Sequence, residues 1–269
     1  MPRSASLRLA LAASLLAATS TAAQAQTRTW NFADNTAPGS CAQVTAGGTN
    51  NVGNVWGCSE QPSGTATSLL VSAYSTSGFT SASTISASAI TPQGAYGIGV
   101  GSAAEGGSTA PTTGGAHAID NNTGGGSDLL VFQFLTGPQT LRSVELGWTG
   151  TDADFQVLRW TGAGAPGLAA NVGSALSSGW QLVTTRAGAG TGTYTVNDGS
   201  LAASYWAVSA YNPAWGASGT GLVVEGNDQF KVKGLTATQA AVVPEPSTYA
   251  LMATGLAALA GAARRRRTA

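Results

Sequence analysis

Charged side chains are scarce in this sequence of 269 residues, and their scarcity excludes several kinds of site. Only 9% of the residues are charged, against about 25% in a typical soluble domain. The 12 basic groups balance 12 acidic groups. So few Lys and Arg residues give no electrostatic footprint for nucleic acid, and no nucleic-acid partner is expected. The single histidine, His117, excludes a metal site built from several imidazoles.

Long helical patterns are missing between the two ends of the chain. Short apolar, β-branched and aromatic runs are separated there by Gly, Ser, Thr, Asn and Pro, and the chain has 37 glycines. This pattern predicts an all-β fold, an antiparallel β-sandwich or jelly roll with long Gly- and Ser-rich loops. Residues 36–66 and 101–127 are the stretches richest in small polar residues, and we expect them to form such loops.

Two of the predicted strands can be placed within the sheet. In residues 141–148, Val144, Leu146 and Trp148 share one face, which predicts a strand buried on one side. Residues 155–160 carry bulky side chains on both faces, which predicts a central strand. The other predicted strands are residues 28–32, 68–74, 96–100, 129–134, 180–185, 191–196, 205–211, 221–225 and 229–232.

Residues 1–25 have the three parts of a secretory signal peptide. Arg3 and Arg8 make the start positive, residues 9–18 are apolar, and Ala23-Gln24-Ala25 is a small-x-small cleavage site. The apolar run is short for a bilayer-spanning helix, which favours a cleaved signal over an N-terminal anchor. The sequence therefore predicts export and an N-terminal signal helix that is present only in the precursor.

The C-terminus combines three features within about 25 residues. Pro244, Glu245 and Pro246 precede an apolar stretch, residues 248–263, and four arginines follow, at positions 264–267. The stretch is short for stable spanning, and the arginines Arg264, Arg265, Arg266 and Arg267 are expected to stay on the cytoplasmic side. The prolines favour an extended backbone that a protease can read. A plain single-pass anchor is the alternative.

These C-terminal residues resemble the PEP-CTERM sorting signal. The resemblance implies recognition by exosortase, a membrane protein similar to cysteine proteases or transpeptidases, and transient residence in the inner membrane. It also implies cleavage near residues 244–247 and release to the cell surface or to the exopolysaccharide matrix. The expected organisation is a signal peptide (1–25), an all-β secreted domain (26–235), a linker (236–243) and a sorting signal (244–269).

Cys41 and Cys58 are the only cysteines. Because the exported compartment is oxidising, the pair is predicted to form a disulfide, with two free thiols as the alternative. The closed loop of about 17 residues would stabilise the fold by about 3 kcal/mol in the chain-entropy model.

Candidate sites in the middle of the chain rest on few residues. Asp120, Asp152 and Asp154 are weak candidates for a structural Ca²⁺ site, because hard oxygen ligands at loop positions suit that ion. No cofactor or other metal is expected. Trp56 and Trp215 lie in Gly-rich segments and are weak candidates for stacking on sugar rings, with loop packing as the alternative.

His117 is the only ready general base near neutral pH. A hydrolase could combine it with nearby Asp side chains, but no Gly-x-Ser-x-Gly motif accompanies it. A loop histidine bonded to backbone is the preferred interpretation, and no enzymatic activity is expected.

Residues 115–235 show a second resemblance, to a group of exosortase-dependent surface proteins. The segments that carry it include His117-Ala118-Ile119-Asp120-Asn121, residues 128–134, Asp152-Ala153-Asp154, residues 205–210 and residues 228–232. The expected function is therefore that of an exported, exosortase-processed surface or matrix protein with a structural or adhesive role. A carbohydrate-binding module, with extracellular polysaccharide as partner, is the alternative, and a secreted hydrolase is the third hypothesis.

Overall fold

The structure is a computed structural model. It describes residues 25–33, 41–61, 64, 66–102, 117–121, 126–168, 170–197, 199, 201–216, 221–222, 226–239, 253–257, 259–260, 264 and 266. The chain divides into two compact units, one formed by Thr27–Gln239 and the other by Met1–Gln26 with Ala240–Ala269.

Between residues 26 and 239, the described residues form an antiparallel β protein with one short α-helix. The strands are β1 (Gln26–Asn31), β2 (Cys41–Thr45), β3 (Val55–Ser59), β4 (Thr67–Thr76), β5 (Ile85–Pro92), β6 (Ile98–Gly101), β7 (Ile119–Asp120), β8 (Asp128–Phe134), β9 (Gln139–Thr149), β10 (Phe155–Trp160), β11 (Trp180–Arg186), β12 (Gly192–Thr195), β13 (Tyr205–Ala210) and β14 (Gln229–Gln239). The helix is α1 (Val172–Ser178), and short 3₁₀ turns cover Thr49–Asn51, Gly94–Tyr96 and Pro213–Trp215.

The strands join into one continuous sheet that curls on itself. Its order is β11-β10-β13-β8-β4-β5-β6-β14-β9-β12, with β3 beside β4, β2 beside β3, and β1 and β7 beside β14. Strand β5 pairs with β4 through its first half and with β6 through its second half, so it carries the sheet from one layer to the other. The all-β antiparallel prediction is confirmed.

The two layers of the sheet enclose a main hydrophobic core. Aromatic side chains meet across it: the ring centroid of Phe155 on β10 lies 5.9 Å from that of Phe230 on β14 and 5.6 Å from that of Tyr194 on β12. Trp206 and Phe132, both fully buried, belong to the same core. Because side chains alternate along each strand, the inward residues of β8, β10 and β13 face this core and the outward residues form a separate surface.

A second, smaller core covers part of that outward surface. Helix α1 contributes Val172 and Ala175 to this core, which also contains Val131 and Ala207. Asn171 caps the helix, since its side-chain Oδ1 accepts the backbone N–H of Ser174 at 2.8 Å. A side-chain cap satisfies one of the N–H groups that a helix start leaves without an intrahelical partner.

The strand assignments made from alternation agree with the structure except at Trp148. That side chain is only half-buried and packs against the Lys231 ammonium group, 4.8 Å from its ring, beside a register shift in the β9–β14 pair. In β9, Val144 and Leu146 are fully buried, whereas Ser143 and Glu145 on the other face are only half-buried. Strand β10 is central, because it pairs with β11 on one side and with β13 on the other. One part of the predicted strand 96–100 is different: Tyr96 belongs to a 3₁₀ turn, and the strand begins at Ile98.

The predicted loops and linker need correction at three places. Residues 36–66 contain the paired strands β2 and β3, and residues 101–127 contain the two-residue strand β7. Strand β14 continues to Gln239, so residues 236–239 belong to the sheet and not to a linker. Of the predicted strand 221–225, residues 223–225 lie outside the described residues.

Candidate functional site

The residues of the C-terminal motif are only partly described. Pro244, Glu245 and Pro246 lie outside the described residues, as do Arg265 and Arg267. Residues 253–257 and 259–260, within the apolar stretch, are helical, and Arg264 and Arg266 are helical and exposed. In this part of the chain and in the rest that the structure describes, no helix has the length and apolar character needed to cross a membrane.

Cys41 and Cys58 form the predicted disulfide. The two residues lie directly opposite each other in the antiparallel pair β2–β3, and both are buried in the main core. The bond therefore links two strands of a segment that sequence composition alone suggests to be a loop.

Three aspartates come together in the structure, and we refer to Asp152, Asp154 and Asp228 as the aspartate cluster. One carboxylate oxygen of each lies within 4.8 Å of the other two. Asp152 and Asp154 precede β10, and Asp228 precedes β14 and bridges to Asp152. Asp154 and Asp228 are fully buried. At this spacing either a shared proton or a hard cation would relieve the repulsion between the carboxylates.

Hydrogen bonds hold the aspartate cluster to the surrounding backbone. Asp228 Oδ1 accepts the backbone N–H of Asp154 at 2.6 Å, and its Oδ2 accepts the Asn121 side-chain amide at 2.6 Å. Asn121 Oδ1 accepts the backbone N–H of Asp228 at 3.1 Å. Asp154 Oδ1 accepts the backbone N–H of Gly188 at 2.6 Å. The cluster thus joins the start of β10, the start of β14, the end of β7 and the loop after β11.

The electrostatics of the cluster favour protonation of one carboxyl group. The pKa of Asp228 is raised to about 7, chiefly by burial and also by the charges of Asp154 and Asp152, although the hydrogen bonds from the Asp154 backbone and from Asn121 act against the rise. Burial likewise raises the pKa of Tyr211, with added contributions from the charges of Asp154 and Asp228. At neutral pH, Asp228 therefore exists both protonated and ionised.

The cluster corrects the predicted Ca²⁺ candidates in part. The structure brings Asp152 and Asp154 together as predicted, but the third member is Asp228, and Asp120 is not one of the three. Asp120 lies on β7, opposite Gln229. A sequence signal for Asp228 exists, because it directly precedes a strand just as Asp154 directly precedes β10.

His117 lies just before β7, with a positive φ of 54° and a half-buried side chain. Its backbone carbonyl accepts the Thr91 hydroxyl at 3.3 Å, and its Nδ1 is buried with no hydrogen-bond partner among the described residues. Gly99 is required beside it, since a Cβ there would lie 1.9 Å from the His117 carbonyl oxygen. Nothing in this arrangement pairs the imidazole with a serine or an aspartate.

The two tryptophans proposed for sugar stacking are not exposed, so that prediction needs correction. Trp56 lies on β3 and is 6% exposed, and Trp215 lies in a 3₁₀ turn and is 2% exposed. Trp56 belongs to the main core and Trp215 to the smaller one. A sugar ring needs an accessible aromatic face, so neither indole can serve as a stacking platform in this structure.

Comparison with known proteins gives one match. Residues 242–267 match the PEP-CTERM protein-sorting motif. No curated protein and no solved structure matches the chain. The match covers the Pro-Glu-Pro residues, the apolar stretch and the arginines together. The chain therefore carries a PEP-CTERM sorting motif at its C-terminus, which implies export and processing by exosortase.

Proposed function

We propose that this chain is an exported protein of the cell surface or exopolysaccharide matrix, in which the all-β unit has a structural or adhesive and non-enzymatic role. The observation that carries the proposal is the sorting motif at residues 242–267. In this account exosortase cleaves near residues 244–247 and releases the unit that precedes them.

The position of the sheet supports such a cleavage. Strand β14 ends at Gln239, before the motif begins at residue 242. A cut near residues 244–247 therefore removes no residue of the sheet, and both hydrophobic cores stay intact. The unit Thr27–Gln239 is also compact by itself, as expected of a product that functions after it is released.

Two further features favour an exported protein. The Cys41–Cys58 disulfide is typical of an oxidising compartment outside the cytoplasm. Strand β1 begins at Gln26, directly after the proposed signal cleavage site at Ala25, so removal of residues 1–25 would also leave the sheet complete.

Each part of the tail has a physical role in this proposal. The prolines at positions 244 and 246 keep the backbone extended on both sides of Glu245, which suits recognition in a protease groove. The four arginines oppose translocation and hold the end of the chain on the cytoplasmic side of the inner membrane. The apolar stretch between them is short for stable residence, so the membrane-bound state is an intermediate.

Replacement of both motif prolines tests the proposal. The double variant Pro244→Ala/Pro246→Ala should accumulate in the producing cell as a membrane-bound chain that keeps its arginines, read by membrane fractionation and intact mass. Pro166→Ala, in the loop after β10, is the matched control and should be processed like the unmodified chain. Normal processing of the double variant would contradict the proposal.

A further inference from the structure

A groove, which we call the outer groove, lies over strand β9 and its neighbours β12 and β14. Its volume is about 290 Å³, close to the lower limit of about 300 Å³ for ligand sites. The side chains that decide its chemistry are those of Thr29, Gln61, Ser143, Glu145, Thr193 and Thr236. A groove of this size holds a short segment of a polymer and leaves the rest of that polymer in solvent.

The strand register places the polar side chains of β9, β12 and β14 on one face of the sheet. Thr193 on β12 lies directly opposite Glu145 on β9, and Thr236 on β14 lies directly opposite Ser143 on β9. Residues paired in this way share a face, and so do Ser143 and Glu145, which are two positions apart. Val144 between them is fully buried in the main core. The polar face is therefore the outer one, and a single ligand can contact all four side chains.

Strand β1 forms a wall of the outer groove. Gly234 on β14 lies opposite Glu145, so a Cβ there would point outward, and it would come within 2.9 Å of the backbone oxygen of Trp30. The backbone of β1 thus crosses close above this glycine. Trp30 is buried in the main core, so Thr29 beside it points away from that core. Gln61 donates its backbone N–H to the Thr29 carbonyl at 2.8 Å and extends the wall.

The uncharged polar side chains of the outer groove are not used by the protein. The side chains that make no hydrogen bond to another described residue are those of Thr29, Gln61, Ser143, Thr193 and Thr236. Thr193 is exposed and the others are half-buried, so all of them are within reach of a ligand. Hydroxyl and amide groups both donate and accept hydrogen bonds, and a few such groups orient a polar ligand in its site.

The carboxylate of Glu145 is held in place at the floor of the outer groove. Its Oε1 lies 2.9 Å from Lys233 Nζ, in an ion pair whose two side chains are more than a third exposed. Its Oε2 lies 3.4 Å from the position that a Cβ of Gly234 would take, so it fills the space above the glycine beside the β1 wall. Because the ion pair already orders this side chain, a ligand that bonds to Oε2 has less to immobilise.

We propose that the outer groove binds a short segment of a neutral polysaccharide, whose hydroxyl groups donate to Glu145 Oε2 and share hydrogen bonds with the serine and threonine hydroxyls around it. Hydrogen bonds to an ionised acceptor are stronger than those between neutral groups, so Glu145 is the main anchor. The hydroxyls on both sides, of Thr193 and Thr236, then set the position of the sugar rings. The inference rests on the proposed location outside the cell, where such polymers occur.

The chemistry of the outer groove favours this ligand class over three others. An acidic polysaccharide would bring carboxylates towards Glu145, on a unit in which residues 26–243 contain eleven acidic and six basic groups. A Ca²⁺ ion takes six to eight oxygen ligands, whereas the only carboxylate that lines the groove is already paired with Lys233. An apolar ligand would leave the hydroxyl and amide groups without partners, which is unfavourable.

Binding is measured on protein purified from the producing cell, full-length or processed, with maltohexaose, cellohexaose and oligogalacturonate as probes. We expect a neutral hexasaccharide to bind and oligogalacturonate to bind more weakly. The affinity for the neutral probe should change little as salt increases, because the ligand brings no charge for salt to screen.

Three variants test which side chains carry the binding. Glu145→Gln should weaken it about tenfold, because the ionised acceptor becomes a neutral amide. Thr193→Val should weaken it about fivefold, the effect of losing one neutral hydrogen bond. Thr67→Val, at the exposed start of β4, is the matched control, since it removes the hydroxyl of an exposed strand threonine outside the groove and should leave the affinity unchanged.

Three results would overturn the inference. They are no binding of either neutral probe, binding of oligogalacturonate as tight as that of the neutral probes or tighter, and an affinity that Glu145→Gln leaves unchanged. The intact mass of each sample reports processing independently of binding. Binding by a chain that is never processed would support the groove and contradict the sorting proposal, whereas a processed chain without binding would do the reverse.

Discussion

The two ends of strands β10 and β13 carry polar side chains in opposite states. At one end, the buried carboxylates of Asp154 and Asp228 accept backbone and side-chain N–H groups at 2.6 Å. At the other end, the side chains of Gln133, Arg159 and Tyr205 are only half-buried. The first set joins segments that are distant in sequence, and the second leaves its donors and acceptors to solvent.

This difference separates polar groups that specify the fold from those that water can reach. A buried polar group is tolerated only when it is hydrogen-bonded, so its removal leaves partners that cannot reach water. A half-exposed group keeps its hydrogen bonds to water, and its removal costs little stability. The comparison therefore predicts large effects on stability at the aspartate cluster and small effects on stability at the half-buried end.

The largest expected effect is on the free energy of unfolding. It is measured by removing an amide side chain at each of the two ends and comparing the two variants. Asn121→Ala should lower the free energy of unfolding by about 3 kcal/mol, because it removes the hydrogen bonds with Asp228 and leaves buried partners unsatisfied. Gln133→Ala should change it by less than about 0.5 kcal/mol. Denaturant unfolding at pH 7 measures both values, and equal values for the two variants would remove the distinction between the ends.

The second effect is a pH dependence at the aspartate cluster. The pKa of Asp228 rises on folding from its ordinary 3.8 to about 7, so between these values the folded state binds a proton that the unfolded state has lost. The stabilisation that this bound proton gives to the folded state is complete below pH 4 and falls as the pH rises towards 7. The free energy of unfolding should decrease by up to about 1.4 kcal/mol per pH unit in that window and level off above it.

Asp228→Asn tests the origin of this pH dependence, since an amide cannot titrate. Unfolding is measured from pH 4 to pH 9 in a chelating buffer, and the variant should show a flatter profile than the unmodified chain. Asp152, Asp154 and Tyr211 surround Asp228 and are unchanged in the variant. An unchanged slope in the variant would assign the effect to those neighbours and not to Asp228.

The smallest expected effect is on stability at the half-buried end of β10. Arg159→Gln removes a charge that has no ion pair among the described residues and a hydrogen bond to Gln181 that is exposed to solvent. The free energy of unfolding should change by no more than about 0.5 kcal/mol, which thermal unfolding at matched pH can measure. A loss above 2 kcal/mol would place Arg159 among the residues that hold the fold together.

Some of the fold could be predicted because it depends on local pattern. The one-sided burial of β9 follows from alternation at Val144 and Leu146, and the central position of β10 follows from bulky groups on both faces. The disulfide follows from the oxidising compartment expected for an exported protein and from the number of cysteines, since two cysteines allow only one pairing. Export is also read locally, from the sorting motif at the C-terminus.

Other parts depended on contacts that the local pattern does not contain. Residues 53–57 resemble a loop because of their glycines, yet Gly57 lies within β3, where a Cβ would come within 2.9 Å of side-chain atoms of Val44 and Thr67. That glycine reflects close packing within β3, the strand in which Trp56 is also buried.

The aspartate cluster was difficult to predict for a related reason. Asp228 lies 74 residues after Asp154, and only the bridge to Asp152 brings it into the cluster. In the same way, only the register of β8 and β13 places Tyr205 opposite Gln133. Sequence reasoning found single polar residues, but it could not determine which of them share a face of the sheet.

The intact mass of the protein from the producing cell, with and without its exosortase, tests the central claim most directly. With exosortase present, the account predicts a chain that starts at Gln26 and ends near residues 244–247, without the four arginines. Without exosortase, the chain should keep its C-terminus through Ala269. A chain that ends at Ala269 in both cells would contradict the account.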